Sequence, residues 1–421
     1  MTSSVKFSEI AELVMGQSPK GADCNETGDG FPLLNGPTEF TERSPLPVQF
    51  TTAGKKFSKT GDILFCVRGS TTGRMNYADQ AYAIGRGIGA IRGINGYPTA
   101  YIRAVLEHNL DRLLVAATGS TFPNVGKDLL NNFEVNVCSP EQAQQANKLL
   151  VGIEDKRYLN SQTNQTLEEM AQAIFKSWFV DFDPVKAKIN GDKPEGMDEA
   201  TASLFPDKLV ESALGLIPEG WAVNQLSDIC KNHSQSYDLK SVDEVVFVNT
   251  GDVLEGDFLH KDYSSVEGLP GQAKKAIKED DILYSEIRPK NKRYAYVDFD
   301  VSDYVVSTKF MVIQANEKVH PRLLYMMLTR QNTIDEFNVI ADSRSGTFPQ
   351  ITFKAISNLE FCMAPREVQD AFVAQVMPMI KLQRSLKTEN KQLADLRDTL
   401  LPKLLSGEIE LGLNEAVELE A

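Results

Sequence analysis

The residues best suited to chemistry with nucleic acid stand in a short basic loop, Val67–Arg74. Arg68 and Arg74 lie near its two ends. An arginine guanidinium can form two parallel hydrogen bonds with guanine or with a phosphate. Small hydroxyl residues let a backbone approach a nucleic acid closely. The loop has three of them, namely Ser70, Thr71 and Thr72.

A second basic loop, Ser285–Arg293, stands at the corresponding place about 219 positions later. A solvated turn with surface charge would explain one such loop, but its recurrence in both halves of the chain favours DNA contact. Arg86 and Lys309 are further candidates for phosphate contacts. The cations of the second loop are Arg288, Lys290, Lys292 and Arg293.

A six-residue motif that ends in Asn124 recurs 226 positions later, where it ends in Gln350. Either side-chain amide could pair with adenine. The alternative is a structural turn that locks each domain to the helix after it, with Phe122 and Phe348 as plugs. Both copies keep the motif, whereas residues that read two different DNA words would be expected to differ, which favours the structural turn.

No pattern in the sequence predicts catalysis. Gly85–Ala90 fits the G-x-G-x-x-A pattern of dinucleotide and S-adenosylmethionine loops. Its counterpart, Ser307–Val312, contains no glycine, so we expect no cofactor there. The four histidines share no metal-ligand spacing, and neither a P-loop nor a methyltransferase motif is present. We therefore expect no catalytic residue, no metal site and no cofactor in this chain.

These candidate sites belong to a chain that is written twice. Phe7–Ile10 resembles Leu226–Ile229, and Thr60–Phe65 resembles Glu279–Tyr284, both at an offset of 219. The period is far longer than that of a solenoid, so each copy is a whole domain with an appendage. The sequence therefore predicts two similar domains in a pseudo-twofold arrangement, with two similar sites.

Each copy begins with short β-rich runs bounded by turn residues, which predicts an α/β (mixed α+β) domain. Each copy then continues as a helix without turn residues, in which apolar residues recur every seven positions. Two such helices should pair as an antiparallel intramolecular coiled coil. The expected parts are the first domain (1–139), the central helix (140–180), a linker (181–220), the second domain (221–364), the distal helix (365–407) and an acidic tail (408–421).

The helix pair has three notable features. About 38 residues at a rise of 1.5 Å give a rod of roughly 57 Å. Asn164 and Asn390 fall at equivalent seam positions, where they either fix the register or simply face solvent. Pro378 should kink or interrupt the distal helix.

Composition limits the class of protein. The 421 residues suggest two to four domains, and the longest apolar runs are too short to span a membrane. The net charge of −14 argues against nucleic acid, yet residues 54–103 carry a local charge of +6. The five scattered cysteines suit reduced, buried thiols in a cytoplasmic protein.

Three segments carry a resemblance to a known family. Ile174–Val185 and Ser212–Trp221 resemble the central shared region of the specificity subunits of type I restriction–modification systems, and Leu400–Ile409 resembles their distal shared region. Gly61–Leu64 resembles an element of their target recognition domains, whereas Glu279–Asp280 departs from the usual Gly-Asp turn, so that turn is less certain.

The resemblance implies a non-catalytic subunit that reads double-stranded DNA. Each recognition domain would read one half of an asymmetric bipartite site, and the helices would set the spacer. Two methyltransferase subunits, and restriction–translocation subunits through them, are the implied partners, and these would carry S-adenosylmethionine, ATP and Mg²⁺. Bulky residues at the helix ends are candidates for contacts with the methyltransferase, namely Trp178, Phe179, Leu404 and Leu405.

Two alternatives remain open. A scaffold that bridges proteins without reading DNA would suit the acidic net charge but not the two basic loops. A self-contained modification enzyme would need a cofactor or metal site that the sequence does not provide.

Overall fold

The computed structural model of the chain describes residues 3–118, 123–344, 349–406 and 408–409. The chain divides into two compact units, residues 1–166 with 382–421 and residues 167–381. Each unit therefore contains one mixed domain and part of each long helix. Among the described residues, no helix has the length and the apolar character that crossing a membrane requires. All five cysteines are free thiols.

The first unit is built on two four-stranded sheets. One has the antiparallel order β2-β9-β6-β7, the other has the order β3-β5-β4-β8, and β1 pairs with β10. β6 is buried along its whole length, as is typical of a strand covered on both faces. The strands are β1 (Ser3–Lys6), β2 (Ala11–Met15), β3 (Cys24–Asn25), β4 (Phe31–Leu34), β5 (Gln49–Thr51), β6 (Ile63–Cys66), β7 (Met75–Tyr77), β8 (Ala83–Ile84), β9 (Ile88–Gly93) and β10 (Glu134–Val137).

Helices cover one face of the β2-β9-β6-β7 sheet. In α2, Tyr101, Ile102 and Val105 lie on one helix face and are buried against the sheet. Leu401 and Leu404 of the distal helix complete the same core. The helices of this unit are α1 (Phe7–Ile10), α2 (Thr99–His108), α3 (Leu110–Ala116), α4 (Lys127–Asn132) and the first part of α5 (Pro140–Phe179).

The second unit repeats this plan. Its first sheet has the order β14-β23-β20-β21, its second has the order β18-β15-β22-β19, and β13 pairs with β24. The strands are β11 (Leu209–Ser212), β12 (Gly215–Pro218), β13 (Ala222–Gln225), β14 (Cys230–His233), β15 (Glu244–Val248), β16 (Val253–Leu254), β17 (Asp257–Phe258), β18 (Tyr263–Ser265), β19 (Ala273–Ala276), β20 (Ile282–Ser285), β21 (Tyr294–Tyr296), β22 (Tyr304–Ser307), β23 (Phe310–Ala315) and β24 (Glu360–Met363).

The segment predicted as a linker is ordered and belongs to the second unit. Trp178 contacts Phe205 with ring centroids 5.0 Å apart, and Val185 and Trp221 are buried in the same core. Its apolar residues explain the order, because they pack on the helix end. The helices of the unit are α6 (Asp183–Ile189), α7 (Glu199–Ser203), α8 (Leu226–Ile229), α9 (Pro321–Thr329), α10 (Gln331–Arg344), α11 (Phe353–Ile356), part of α5 and part of α12 (Arg366–Leu405).

The two domains repeat each other at the level of single hydrogen bonds, which confirms the prediction of two similar mixed domains. Each domain begins with a strand, a four-residue helix and a second strand, and the third residue of the helix, Glu9 or Asp228, accepts from the backbone amide that precedes the helix. Two amide-to-carbonyl bonds recur at these helices. They join Phe7 to Phe133 and Leu226 to Leu359 (2.9 Å each), and Ile94 to Ile10 and Asn316 to Ile229 (2.9 and 3.0 Å).

The turn before the central strand is preserved in both domains, although the sequence left the second one in doubt. Gly61 has φ +86°, and its counterpart Asp280 has φ +69°. The Gly61 amide donates to the Ala78 carbonyl at 2.7 Å, and the Asp280 amide donates to the Val297 carbonyl at 2.8 Å. Asp280 therefore adopts the left-handed backbone that glycine adopts more easily.

The long helices pack antiparallel in each unit. In the first unit, Asn160 donates to Asn390 at 2.9 Å, and Gln383 donates to the Asn164 carbonyl at 3.1 Å. In the second unit, Phe175 lies against Phe372, with ring centroids 5.9 Å apart. The sequence placed Asn164 and Asn390 at equivalent seam positions. The side chain that bonds to the Asn390 oxygen across the seam is Asn160, one turn before Asn164.

The distal helix continues through Pro378 as one helix of 40 residues, so the predicted interruption does not occur. Proline removes the amide that would donate to the Ala374 carbonyl. Pro378 is exposed, so water can reach this part of the helix.

Candidate nucleic-acid interface

Three segments of the first domain meet beyond the end of β6. The Val67 amide donates to the Gly87 carbonyl at 2.9 Å, and the Val67 carbonyl accepts from the Val125 amide at 2.8 Å. Arg68 and Asn124 form an isolated β-bridge. The basic loop, the glycine segment and the residues after the six-residue motif are thus brought together.

The second domain assembles the same three segments beyond β20. The Glu286 amide donates to the Lys309 carbonyl at 2.9 Å, and the Glu286 carbonyl accepts from the Ile351 amide at 2.8 Å. Ile287 and Gln350 form the matching β-bridge. The predicted contact residues of each domain therefore share one neighbourhood, although they are far apart in sequence.

The two basic loops share a backbone shape that needs a left-handed conformation at two places. In the first domain these places are Gly69 and Gly73, with φ of +96° and +97°. In the second domain they are Arg288 and Lys292, with φ of +45° and +52°. A left-handed conformation costs a residue with a side chain about 1–2 kcal/mol, and glycine avoids this cost.

Most predicted contacts of the first domain are available to a ligand. Arg68, Ser70, Arg86 and Asn124 are exposed, and Thr71 is half-buried. Thr72 has a different role, because its hydroxyl lies 2.8 Å from the Gly69 carbonyl and 2.9 Å from the Pro123 carbonyl. Its hydroxyl ties the basic loop to Pro123 near the end of the six-residue motif, which gives Thr72 a structural role beside its predicted DNA contact.

The predicted contacts of the second domain differ in exposure. Arg288 and Lys290 are exposed, whereas Lys309 and Gln350 are half-buried. The Lys292 ammonium lies 3.4 Å from the Glu255 carboxylate, and both side chains are partly exposed. The second domain therefore presents its cations from the loop itself.

Arg74 and Arg293 occupy equivalent positions, and both guanidinium groups lie near backbone carbonyls of their own domain. The Arg293 guanidinium donates to the carbonyls of Gly251 and Val253 at 3.0 and 2.9 Å. The Arg74 guanidinium lies 3.5 Å from the carbonyl of Phe40. These bonds give Arg293 a structural role, whereas Arg74 is exposed and stays a predicted DNA contact.

The predicted roles of Phe122 and Phe348 fall outside the described residues. The flanking residues are described, and they join the basic loops in both domains. The choice between a DNA loop and a structural turn therefore stays open for the motif itself.

The glycines of Gly85–Ala90 have a packing role. A Cβ on Gly85 would lie 2.1 Å from the Asn35 side-chain oxygen, and a Cβ on Gly87 would lie 2.3 Å from the Asn35 carbonyl. Gly89 lies within strand β9, so the segment leads into a strand rather than into the helix of a nucleotide-binding loop. The glycines allow close approach of neighbouring chain segments.

Sequence reasoning missed two polar side chains beside Arg86. The Ser18 hydroxyl accepts from the Arg86 amide at 3.1 Å and donates to the Asn35 side-chain oxygen at 3.0 Å. Asn35 is exposed. No local pattern marks either residue, because only the fold brings them to the site.

The helix-end residues predicted to contact a methyltransferase are mostly buried in the chain itself. Three of them are only 3% exposed, namely Trp178, Leu404 and Leu405. Phe179 is half-buried and packs on Phe372, with ring centroids 5.0 Å apart. We therefore correct the assignment for the three buried residues, whose bulk fills the domain cores.

Each domain buries an aspartate at the start of its central strand, with different partners. Arg92 binds Asp62 through two hydrogen bonds of 2.9 and 2.7 Å. At the equivalent place, Asp281 accepts one bond of 2.8 Å from Gln314. Burial raises the pKa of the Asp281 carboxyl above its ordinary value, against the opposing effects of its hydrogen bonds, Lys278 and His233. These aspartates support the fold beneath the interface.

Within the described ranges, no group of three or more His, Cys, Asp or Glu side chains is placed to hold a metal ion. The chemistry that the two sites offer is therefore recognition by arginine, lysine, hydroxyl and amide groups.

Comparison with known proteins agrees with this arrangement. The type I restriction modification DNA specificity domain matches residues 3–169 and 218–394. The HindI specificity subunit of Haemophilus influenzae is 48% identical over 178 residues, which is 41% of this chain and 39% of that protein. The MjaIX specificity subunit of Methanocaldococcus jannaschii is 25% identical over 302 residues, which is 70% of this chain and 64% of that protein. Both alignments span less than two thirds of the relative's length.

A solved structure shares the fold. The S subunit of a type I restriction–modification system from M. genitalium superposes with a TM-score of 0.53 at 15% identity, over 96% of each chain. The two segments that match the family include most of both domains and much of both long helices. The chain therefore belongs to the family of type I restriction modification DNA specificity domains.

Proposed function

We propose that this chain reads a bipartite, asymmetric DNA sequence as the non-catalytic specificity subunit of a type I restriction–modification complex. Each domain contacts one half-site through its basic loop and the two segments joined to it. The long helices hold the half-sites at a fixed spacing.

One observation carries the proposal: the domains share a backbone but place their cations differently. The position of Arg68 in the first loop is occupied by Ile287 in the second, and the position of Lys290 in the second loop is occupied by Thr71 in the first. The one cation that both loops share, Arg74 or Arg293, binds backbone carbonyls. Two equivalent sites with different side chains suit two different DNA words, since base choice depends on the donors and acceptors presented.

The helices suit the role of a spacer. Each has 40 residues. A helix of that length extends about 60 Å at a rise of 1.5 Å per residue. Half-sites about one turn of DNA apart, roughly 34 Å, would lie on the same face of the duplex.

The partners are two methyltransferase subunits, with restriction–translocation subunits bound through them in the cytoplasm. S-adenosylmethionine, ATP and Mg²⁺ belong to those subunits. The exposed apolar side chains of the segment between the domains, Ile189, Leu214 and Leu216, offer a contact surface that the buried helix-end residues do not.

Footprinting of the full chain bound to its methyltransferase tests the proposal. We expect the complex to protect two separated segments of a selected duplex. Arg68→Ala should weaken protection of one segment, and Lys290→Ala should weaken protection of the other. Unchanged protection of both segments in either variant would contradict the assignment of that residue. Equal binding to a scrambled duplex would contradict the function.

A protein-bridging scaffold is the second candidate, favoured by the net charge of −14. A scaffold that does not read DNA should show the same weak affinity for a selected site and for random DNA when it is bound to the methyltransferase. A strong preference for the selected site excludes this alternative.

A further inference from the structure

Two cations of the second domain occupy positions that glycine occupies in the first. Arg288 corresponds to Gly69, and Lys292 corresponds to Gly73, in a shared backbone that is left-handed at both places. Glycine adopts this conformation without a steric penalty, whereas arginine and lysine do not. The second domain thus keeps two residues that its own backbone disfavours.

Matching hydrogen bonds establish that these positions are equivalent. The strands on either side of the loop pair with the same register in both domains. Within the loops, equivalent amides donate to equivalent carbonyls. They join Cys66 to Arg74 and Ser285 to Arg293 (2.9 and 2.8 Å), and Thr72 to Gly69 and Asn291 to Arg288 (3.2 and 2.8 Å).

The contacts of the two side chains do not explain why they are kept. Arg288 is exposed, and among the described residues no hydrogen bond or ion pair holds its guanidinium. Lys292 lies 3.4 Å from Glu255, and these side chains are 36% and 56% exposed. Such exposed ion pairs contribute little to stability, so the fold alone gives no reason for either cation.

We propose that Arg288 and Lys292 bind phosphates of the second half-site, and that the disfavoured backbone is retained for this contact. The inference rests on the proposed function, since it takes double-stranded DNA as the ligand. Backbone strain that the fold does not require is typical of functional sites. A guanidinium and an ammonium that flank one short turn suit neighbouring phosphate oxygens. The first domain, with glycine at both places, holds its half-site without these two contacts.

The test uses the full chain bound to its methyltransferase, with the variants Arg288→Gly and Lys292→Gly. We expect each variant to unfold at the same temperature as the parent chain or at a higher one. Each should bind a duplex that carries the selected site about tenfold more weakly. The slope of log affinity against log salt should fall by about 1 for each lost phosphate contact.

Matched variants separate charge from backbone. Arg288→Lys should retain most of the affinity, whereas Arg288→Asn, which tolerates the left-handed conformation, should lose it. Lys290→Ala removes a cation from the same turn at an ordinary backbone position, so it should not raise the unfolding temperature. Gly69→Ala should lower that temperature, because its φ is +96° although the space around it is open.

Three results would overturn the inference. The first is an unchanged affinity and salt slope in both glycine variants. The second is a lower unfolding temperature in both, which would show that the side chains support the fold. The third is a changed base preference with an unchanged salt slope, which would indicate base contact. A parent complex that does not prefer the selected duplex to a scrambled one refutes the proposed function instead.

Discussion

Asn160 and Asn390 form a direct amide-to-amide hydrogen bond between the two long helices in the first unit, 2.9 Å from nitrogen to oxygen. Asn390 in turn donates to the Arg157 carbonyl at 3.1 Å and to the Ser161 hydroxyl at 3.3 Å. Asn160 is 2% exposed, and its amide nitrogen also donates to the Glu389 carboxylate at 2.8 Å. A hydrogen bond of this kind, between a buried and a half-buried asparagine, holds two helices in one register.

Replacing one of these asparagines should cost more than replacing both. Asn160→Leu removes the donor to the Asn390 side-chain oxygen, and we expect a loss of about 1–3 kcal/mol. The double variant with Asn390→Leu should recover most of that loss, because both polar groups are removed together. Urea unfolding of the full chain measures the free energy of unfolding of the single and the double variants. A double variant that loses the sum of the two single losses would contradict the pairing.

The Asp281 carboxyl makes the second unit sensitive to pH. Because burial raises its pKa in the folded state, the folded chain holds this proton more tightly than the unfolded chain does. Its contribution to the free energy of unfolding therefore falls as the pH rises from the ordinary value of 3.8 through the raised value.

Gln314→Arg should weaken this pH dependence, because it supplies the guanidinium that Arg92 supplies to Asp62 in the first domain. Arg92→Gln is the matched reverse change and should introduce the same dependence in the first domain. Urea midpoints measured from pH 4 to pH 8 test both variants. Parallel pH profiles for Gln314→Arg and the parent chain would show that the carboxyl is not the cause.

Arg293 should matter for stability, whereas Arg68 should not. Arg293→Met removes two charged hydrogen bonds to the carbonyls of Gly251 and Val253, at a cost of about 1–3 kcal/mol. Arg68→Met changes an exposed side chain and should leave the urea midpoint unchanged. Equal midpoints for the two variants would argue against the structural role of Arg293.

Asn35 should influence the base sequence read by the first domain. It is exposed, and Ser18 holds its side-chain oxygen beside the Arg86 backbone. Asn35→Ala removes a side chain able to pair with adenine and should relax the preference at one position, at a cost of about 1–3 kcal/mol in discrimination. Sequencing of DNA selected by the variant complex measures this. Selection of the parent motif without change would exclude base contact by Asn35.

The repeat could be predicted from sequence because its shared residues are those that the fold requires. Asp62 and Asp281 cap the turn before the central strand by accepting from the amides of Lys59 and Lys278. Such local patterns survive in both copies. The segments around them could therefore be aligned, and the basic loops could be placed at one site in each domain.

Other features depend on tertiary contacts that a sequence does not display. Arg68 and Arg74 are both exposed arginines of the same loop, yet the Arg74 guanidinium turns toward the Phe40 carbonyl, 3.5 Å away. Trp178 has the bulk of a partner contact but is buried among residues of the chain itself. The heptad pattern placed Asn164 and Asn390 at equivalent seam positions, and only the side-chain contacts show that Asn160, one turn before Asn164, bonds to Asn390.

The most direct test of the account is the methylation pattern of a host cell with and without this chain. If two different readers act through one spacer, sequencing of methylated bases should reveal one asymmetric motif in which two short words flank a gap of fixed length. Arg68→Ala and Arg288→Gly should alter methylation of that motif without creating a second one. A palindromic motif, an ungapped motif or no dependence on the chain would contradict the account.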